Sequence, residues 1–168
     1  MTIIEGNLLD AKADAILHQV NCQGVMGSGL AKQIRDRFPV VYQYYKAWCG
    51  DVHYNPPGFL KSPLLGKVQV VYPDDPPVGT PPKLPAIVNL FAQNKFGRNG
   101  CYTDYEALRK CLRQVNEIFH GRTVALPYKM SCGLGGGDWR TVVGIIEQEL
   151  KDCEVLIYML RNTNGGIK

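Results

Sequence analysis

Short apolar runs alternate along this chain with longer stretches whose apolar residues recur every three or four positions. "TIIE" (2–5), "AILHQV" (15–20), "KVQVVY" (67–72), "AIVNLFA" (86–92), "TVALP" (123–127) and "EVLIYML" (154–160) read as strands: each is rich in β-branched residues and too short for a helix. Between them the period lengthens. After Gly29, the residues Leu30, Ala31, Ile34 and Phe38 share one helical face; Pro39 ends that helix and opens a second, striped by Val41, Tyr44, Tyr45 and Trp48. "TDYE" has the form of a capping box with Thr103 as cap and Glu106 three residues on, and it predicts a helix over 104–120. Tyr105, Leu108, Cys111, Leu112, Val115 and Phe119 line its inner face, and Gly121 stops it. Trp139, Val142, Val143, Ile146 and Leu150 make the last helical stripe.

Six prolines between 73 and 85 forbid regular structure in the connection there, which joins neighbouring strands without dividing the chain. With no internal repeat, the expectation is one domain over residues 1–168: an α/β fold of three layers, α/β/α, around a central mixed sheet.

Composition narrows this picture. At 168 residues, 45% hydrophobic and 20% charged, the chain is globular. No apolar run approaches the roughly 20 residues that span a bilayer, so no membrane partner is expected. Glu5, Asp10, Lys12 and Asp14 are foreign to a secretory signal. The six cysteines never form CxxC, and several fall in apolar stripes; buried thiols, no metal site and a cytoplasmic location are expected. The net charge of +4 includes one short cluster, Lys32, Arg35 and Arg37. That is too little to argue for direct nucleic-acid binding, which is not expected, but it suits a phosphorylated small molecule.

The candidate chemistry lies in two glycine loops, each following a strand and opening a helix, where unpaired N–H groups can face an anion. The first is Asn21 to Ala31, with Gly24, Gly27 and Gly29; the second is "SCGLGGGDW", Ser131 to Trp139, with Asp138 placed to cap the next helix. Neither is GxxxxGK[ST] or GxGxxG, so a Walker ATPase and an ordinary dinucleotide site are disfavoured. Two such loops together have the form of a clamp for two phosphates. Cys132 begins a glycine loop but lacks the CxxxxxR spacing of cysteine phosphatases, since Arg140 lies eight residues on.

"EGNLLDAKADAILHQVNCQGVMGSGLAKQI" resembles the opening of a macrodomain, "LPYKMSCGLGGGDW" resembles that family's second loop, and "NLFAQ" with "TDYEALRKCL" fits between them. The resemblance covers essentially the whole chain. It implies the macrodomain fold and, as partner, ADP-ribose or a derivative, an ADP-ribosylated protein included; it implies no cofactor. The nearest branch is that of ADP-ribose 1''-phosphate phosphatases and terminal ADP-ribosyl-protein hydrolases. In it Asn7, beside Leu8, stands where an acid meets the adenine amino group, and its amide oxygen can accept that bond. Asn21 with Gly24, Val25, Met26, Gly27, Ser28, Gly29 and Leu30 would face the distal ribose and a phosphate. Ser131, Cys132, Gly133, Leu134, Gly135 and Gly136 would close over the diphosphate. On this reading a Cβ at Gly27 or Gly136 would take the space of phosphate.

Two departures bear on catalysis. Gln93 stands where hydrolases with a lysyl intermediate carry Lys, and Gly135 where they carry Asp; Lys95, two residues on, is the alternative amine. The residues left for chemistry are Asn21, Gln93 and His18, the last as acid or base. Two readings follow: a hydrolase acting at the anomeric carbon of the distal ribose, and a non-catalytic ADP-ribose reader.

Overall fold

The computed structural model of the protein describes residues 1–51 and 61–160. Its six strands are β1 (Thr2–Glu5), β2 (Ala15–Asn21), β3 (Val68–Val71), β4 (Ala86–Gln93), β5 (Thr123–Pro127) and β6 (Glu154–Met159). Its helices are α1 (Gly29–Arg37), α2 (Pro39–Asp51), α3 (Tyr105–Ile118) and α4 (Trp139–Glu149). The two strands with the longest apolar runs, β2 and β4, lie side by side inside the sheet. Every residue of β4 and all of β2 except Gln19 are buried. The sheet order is β1-β6-β5-β2-β4-β3, and all neighbours are parallel except β3 with β4. Parallel strands covered on both faces read as continuous apolar runs, as these do.

Alternation along the strands sorts the core into two faces. Ala15, Leu17, Val88, Leu90, Val124 and Leu126 meet Leu108, Cys111, Leu112 and Val115 of α3 and Val142 and Ile146 of α4. Ile16, Ile87 and Ala125 point the other way, onto Ile34 of α1, Phe38, and Val41 of α2. The expected three layers and mixed sheet are present. Each fully buried Leu or Ile contributes about 1.5–3 kcal/mol.

The connections set the position of the site. From β2 the chain leaves through α1 and α2 on one face; from the adjacent β5 it leaves through α4 on the other. The two glycine loops therefore part at a topological switch point, the crevice where open α/β sheets take ligands.

Three expectations change. The cap of α3 is Asp104, whose side chain accepts from the Ala107 N–H, and not Thr103. Thr103 instead bridges to Gln93 in antiparallel fashion. On α2 the inward stripe is Val41, Tyr45 and Cys49, at a spacing of four; Tyr44 and Trp48 are 52% and 37% exposed. A short 3-10 turn, Leu8–Asp10, capped by Asn7, buries Leu8 and Leu9 where no element was expected.

Candidate functional site

The first glycine loop is folded by one side chain. Asn21, the last residue of β2, follows a register shift against β4 that sets it opposite Gln93. Its Oδ1 accepts from the Gln23 N–H at 2.9 Å and the Val25 N–H at 3.3 Å, and its Nδ2 donates to the Val25 carbonyl at 2.7 Å. The Tyr45 hydroxyl, fully buried on α2, lies 2.8 Å from the Asn21 carbonyl and 2.9 Å from its Oδ1. Burial pushes that phenol above its ordinary pKa, so it stays protonated and donates. The second N–H of the Asn21 amide has no partner among the described residues.

Beyond this turn the chain opens. Met26 is buried as an anchor, while Val25, Gly27, Ser28 and Gly29 are exposed. A Cβ at Gly27 would meet only Val25 Cγ1, at 3.7 Å, and one at Gly29 nothing within 4 Å. Ser28 is the N-cap residue of α1, yet its side chain makes no capping bond and no acid lies in the first turn. The N–H groups at the start of α1, ending in the half-buried Leu30, thus remain free of a side-chain partner, the arrangement that receives an anion.

The second loop is closed upon itself. Gly136 donates to the Gly133 carbonyl at 3.0 Å and Gly137 to the Ser131 carbonyl at 2.9 Å. The Gly135 carbonyl accepts from the Tyr102 and Thr103 N–H groups at 2.8 and 3.0 Å. A Cβ on Gly135 would stand 2.5 Å from the Ser131 carbonyl, 2.7 Å from Thr103 Oγ1 and 2.8 Å from Gln19 Nε2. At Gly136, whose φ is +66°, it would run into the carbonyl of Gly100. These glycines are required by neighbouring backbone, a different reason from the ligand space expected of Gly136. The exposed tip is Gly133 and Leu134. Asp138 accepts from the Thr141 N–H and caps α4, as expected.

Under both loops lies a polar hub that the sequence reading missed. Gln19 Nε2 donates to Gln93 Oε1 at 3.1 Å and to Thr103 Oγ1 at 3.0 Å. Thr103 Oγ1 also lies 3.0 Å from the Ser131 carbonyl and 3.2 Å from that of Gly135. The signal was available: Gln19 is an inward-spaced polar residue in an apolar strand. The hub places Gln93 beside Asn21 with its amide oxygen engaged. Lys95 is exposed on the loop beyond.

His18 lies three residues below the end of β2, 2% exposed. Its Nε2 sits 2.5 Å from Asn89 Oδ1; Asn89 donates to Gln69, and Gln69 donates to the Tyr44 carbonyl of α2. Burial lowers its pKa to about 4, so the ring is neutral near pH 7. It braces β2, β4, β3 and α2 on the face away from Gln19. Cys132 also departs from a catalytic profile: burial first, then the Asp138 charge, raise its thiol pKa. Among the described residues no group of three or more His, Cys, Asp or Glu could hold a metal, and no helix is long and apolar enough to cross a membrane.

At the other end of the crevice, Asn7 is exposed beside Leu8. Its Oδ1 accepts from the Leu9 N–H at 3.1 Å and its Nδ2 donates to Asp10 at 3.0 Å, which leaves one lone pair of the amide oxygen. The Tyr158 ring lies alongside, 3.7 Å from where a Cβ of Gly6 would stand.

No protein-family model matches the chain. It is 30% identical over 160 residues to the DNA ADP-ribosyl glycohydrolase of Thermus aquaticus, covering 92% of this chain and 39% of that protein. It is 27% identical over 167 residues to the ADP-ribose 1''-phosphate phosphatase of Scheffersomyces stipitis, covering 92% of this chain and 94% of that one. The chain thus spans about two fifths of the length of the glycohydrolase it matches. Its fold superimposes on the macrodomain of Mycobacterium tuberculosis DarG with a TM-score of 0.69 and 27% identity, covering 94% of this chain and 95% of that one. With two loops and a sheet of this form, the chain has the macrodomain fold.

Proposed function

We propose that the protein binds ADP-ribose across the carboxyl ends of β2, β4 and β5 and hydrolyses the bond at the anomeric carbon of the distal ribose. Its substrate is ADP-ribose 1''-phosphate or an ADP-ribosylated target. The observation that carries this reading is the uncapped start of α1 beside Asn21 at the switch point, with the second glycine loop facing it. The similarity to a phosphatase and a glycohydrolase of ADP-ribosyl compounds supports the same reaction class. Asn7 would take the adenine end, with Tyr158 beside it.

On this reading catalysis comes from position and fixed dipoles. The α1 N–H groups would hold the anion, the remaining Asn21 N–H would orient the ribose, and the Gln93 amide would place the attacking water. Water adds its hydroxyl to the anomeric carbon and gives its other proton to solvent water, while the bond from that carbon to the phosphate or carboxylate oxygen breaks and the group leaves as the anion. A lysyl intermediate has no amine at Gln93, and no carboxylate side chain fits at Gly135 without displacing the Ser131 carbonyl and Thr103. The same two positions favour the second reading, a non-catalytic ADP-ribose reader. Six unpaired cysteines suit a reducing compartment, which we take to be the cytoplasm. The pairing of β1 with β6 supports one domain across the chain.

The test is to incubate the protein with ADP-ribose 1''-phosphate, with ADP-ribosylated protein and with ADP-ribosylated DNA, following phosphate and free ADP-ribose. Release from any of them is the expected result. Tight binding of ADP-ribose without release would leave the reader standing, and no binding at millimolar ADP-ribose would sink both.

A further inference from the structure

Away from the crevice, an open groove of about 530 Å³ lies between α2, the edge strand β3 and the proline connection that follows it. Tyr72 follows Val71, which is paired with Ile87 near the start of β4, so the groove reaches the end of the sheet opposite the glycine loops. Its walls are tied in place. Gln69, 4% exposed on the floor, donates to the Tyr44 carbonyl of α2 at 3.1 Å and turns its amide oxygen inward to Asn89. The proline connection holds two hydrogen-bonded turns, Asp75 N–H to the Tyr72 carbonyl at 3.1 Å and Thr80 N–H to the Pro77 carbonyl at 2.9 Å. The Lys83 N–H closes it onto Asp74 Oδ2 at 2.6 Å. With Pro76, Pro77 and Pro82 also on the wall, the groove is shaped before anything enters it.

Its lining is aromatic and anionic. Tyr44, Trp48 and Tyr72 all face it and are 52%, 37% and 41% exposed. One face of Trp48 stacks on Phe91, with ring centroids 6.0 Å apart and planes at 16°, which leaves the opposite face open. Asp75, held next to Tyr72 by its turn, brings the carboxylate of the lining and has no ion pair among the described residues. The cations that the chain lays on its own rings rest elsewhere among the described residues: Arg35 on Tyr42, Arg37 on Phe38 and Lys129 on Tyr128. Three open rings and a carboxylate without a counter-ion thus share one groove.

We infer that this groove binds a small quaternary ammonium compound, with Tyr44, Trp48 and Tyr72 about its methyl groups and Asp75 as the counter-charge. A cation is drawn to the negative face of an aromatic ring, most strongly to that of tryptophan. A primary ammonium would need three acceptors, and the Gln69 amide oxygen on the floor is engaged by Asn89; a fully methylated nitrogen needs none. A proline-rich peptide would use the rings and leave Asp75 without a role. The volume falls within the roughly 300–1,000 Å³ of small-molecule sites. The inference stands apart from whatever occupies the crevice at Asn21.

The experiment titrates the protein with choline and with its neutral tert-butyl analogue, against sodium chloride at the same ionic strength. Trp48 fluorescence, read in a Trp139→Phe background, should report choline binding with a dissociation constant on the order of 1 mM, and calorimetry on the wild type makes the same comparison without that substitution. The neutral analogue should bind at least about tenfold more weakly. Tyr44→Ala and Asp75→Asn should each weaken choline by about 2- to 30-fold, the span of one lost cation contact, with ADP-ribose affinity and melting temperature little changed. Tyr44→Phe, which keeps the ring, should retain binding. Equal binding of the neutral analogue would reduce the groove to an apolar surface and overturn the inference. So would choline binding untouched by both Tyr44→Ala and Asp75→Asn, or no response at about 50 mM choline. A peptide carrying trimethyl-lysine that binds more than about tenfold tighter than choline would overturn it in favour of a peptide partner.

Discussion

The two glycine loops look alike in sequence and are opposites in structure. In the first, Gly27 and Gly29 border open space and the following helix starts without a capping side chain. In the second, Gly135 and Gly136 are forced by carbonyls that would meet a side chain, and the following helix is closed by Asp138. Glycine can serve a guest or serve the fold. Only the atoms facing the missing Cβ separate the two cases: open space at Gly27 and Gly29 of the first loop, neighbouring carbonyls at Gly135 and Gly136 of the second.

Substituting valine in each loop breaks the comparison most directly. Gly136→Val combines a left-handed backbone with a collision against Gly100 and should cost about 3–4 kcal/mol, a fall in melting temperature of roughly 10 °C. Gly27→Val should melt like wild type and lose ADP-ribose in calorimetry. Equal melting temperatures for the two variants would erase the distinction. Next in size, Asn21→Ala removes the bonds that shape the first loop and should reduce turnover by about 10²- to 10³-fold. Gln93→Ala, which loses one contact to Gln19, should do less in the same assay.

Acid tests the sheet beneath the loops. The pKa of His18 is lower in the folded protein, about 4 against an ordinary 6.5, so the unfolded chain binds the extra proton between those values. Stability is therefore fully present above pH 6.5 and falls as pH drops toward 4, by about 3 kcal/mol in all. His18→Gln should flatten this slope in urea melts while leaving the pH profile of turnover unchanged; a changed profile would restore the ring to catalysis. The smallest effects concern the caps. Ser28→Asp should stabilise α1 by about 0.5–1 kcal/mol and weaken ADP-ribose by putting a carboxylate where phosphate would sit. Asp138→Ala should cost about 1 kcal/mol of stability with little change in binding.

The strands, the helix pair divided at Pro39 and the sites of both loops were legible because they rest on periodicity and on residues with one dominant backbone preference. The cap of α3 was not. Thr103 and Asp104 are both good caps, and the choice was made by Gln19, distant in sequence, which engages the threonine hydroxyl in the hub. Tyr45 was read as one of an apolar stripe, for a hydroxyl bonded across to Asn21 leaves no mark on spacing. His18, Asn89 and Gln69 lie one on each of three separate strands. Their alignment into one hydrogen-bonded row depends on register, which appears only when the strands pair.

The pairing of β1 with β6 has a temporal meaning. Thr2 lies opposite Leu156, so β1 waits for β6 to emerge before it gains a neighbour. Contacts of such sequence separation form late, because a long loop must close before they are rewarded. The hub around Gln19 can assemble once β5 and its loop have emerged, whereas Asn7 hangs from a strand still unpaired. The end of the crevice beside Asn7 is thus built after the end beside Asn21.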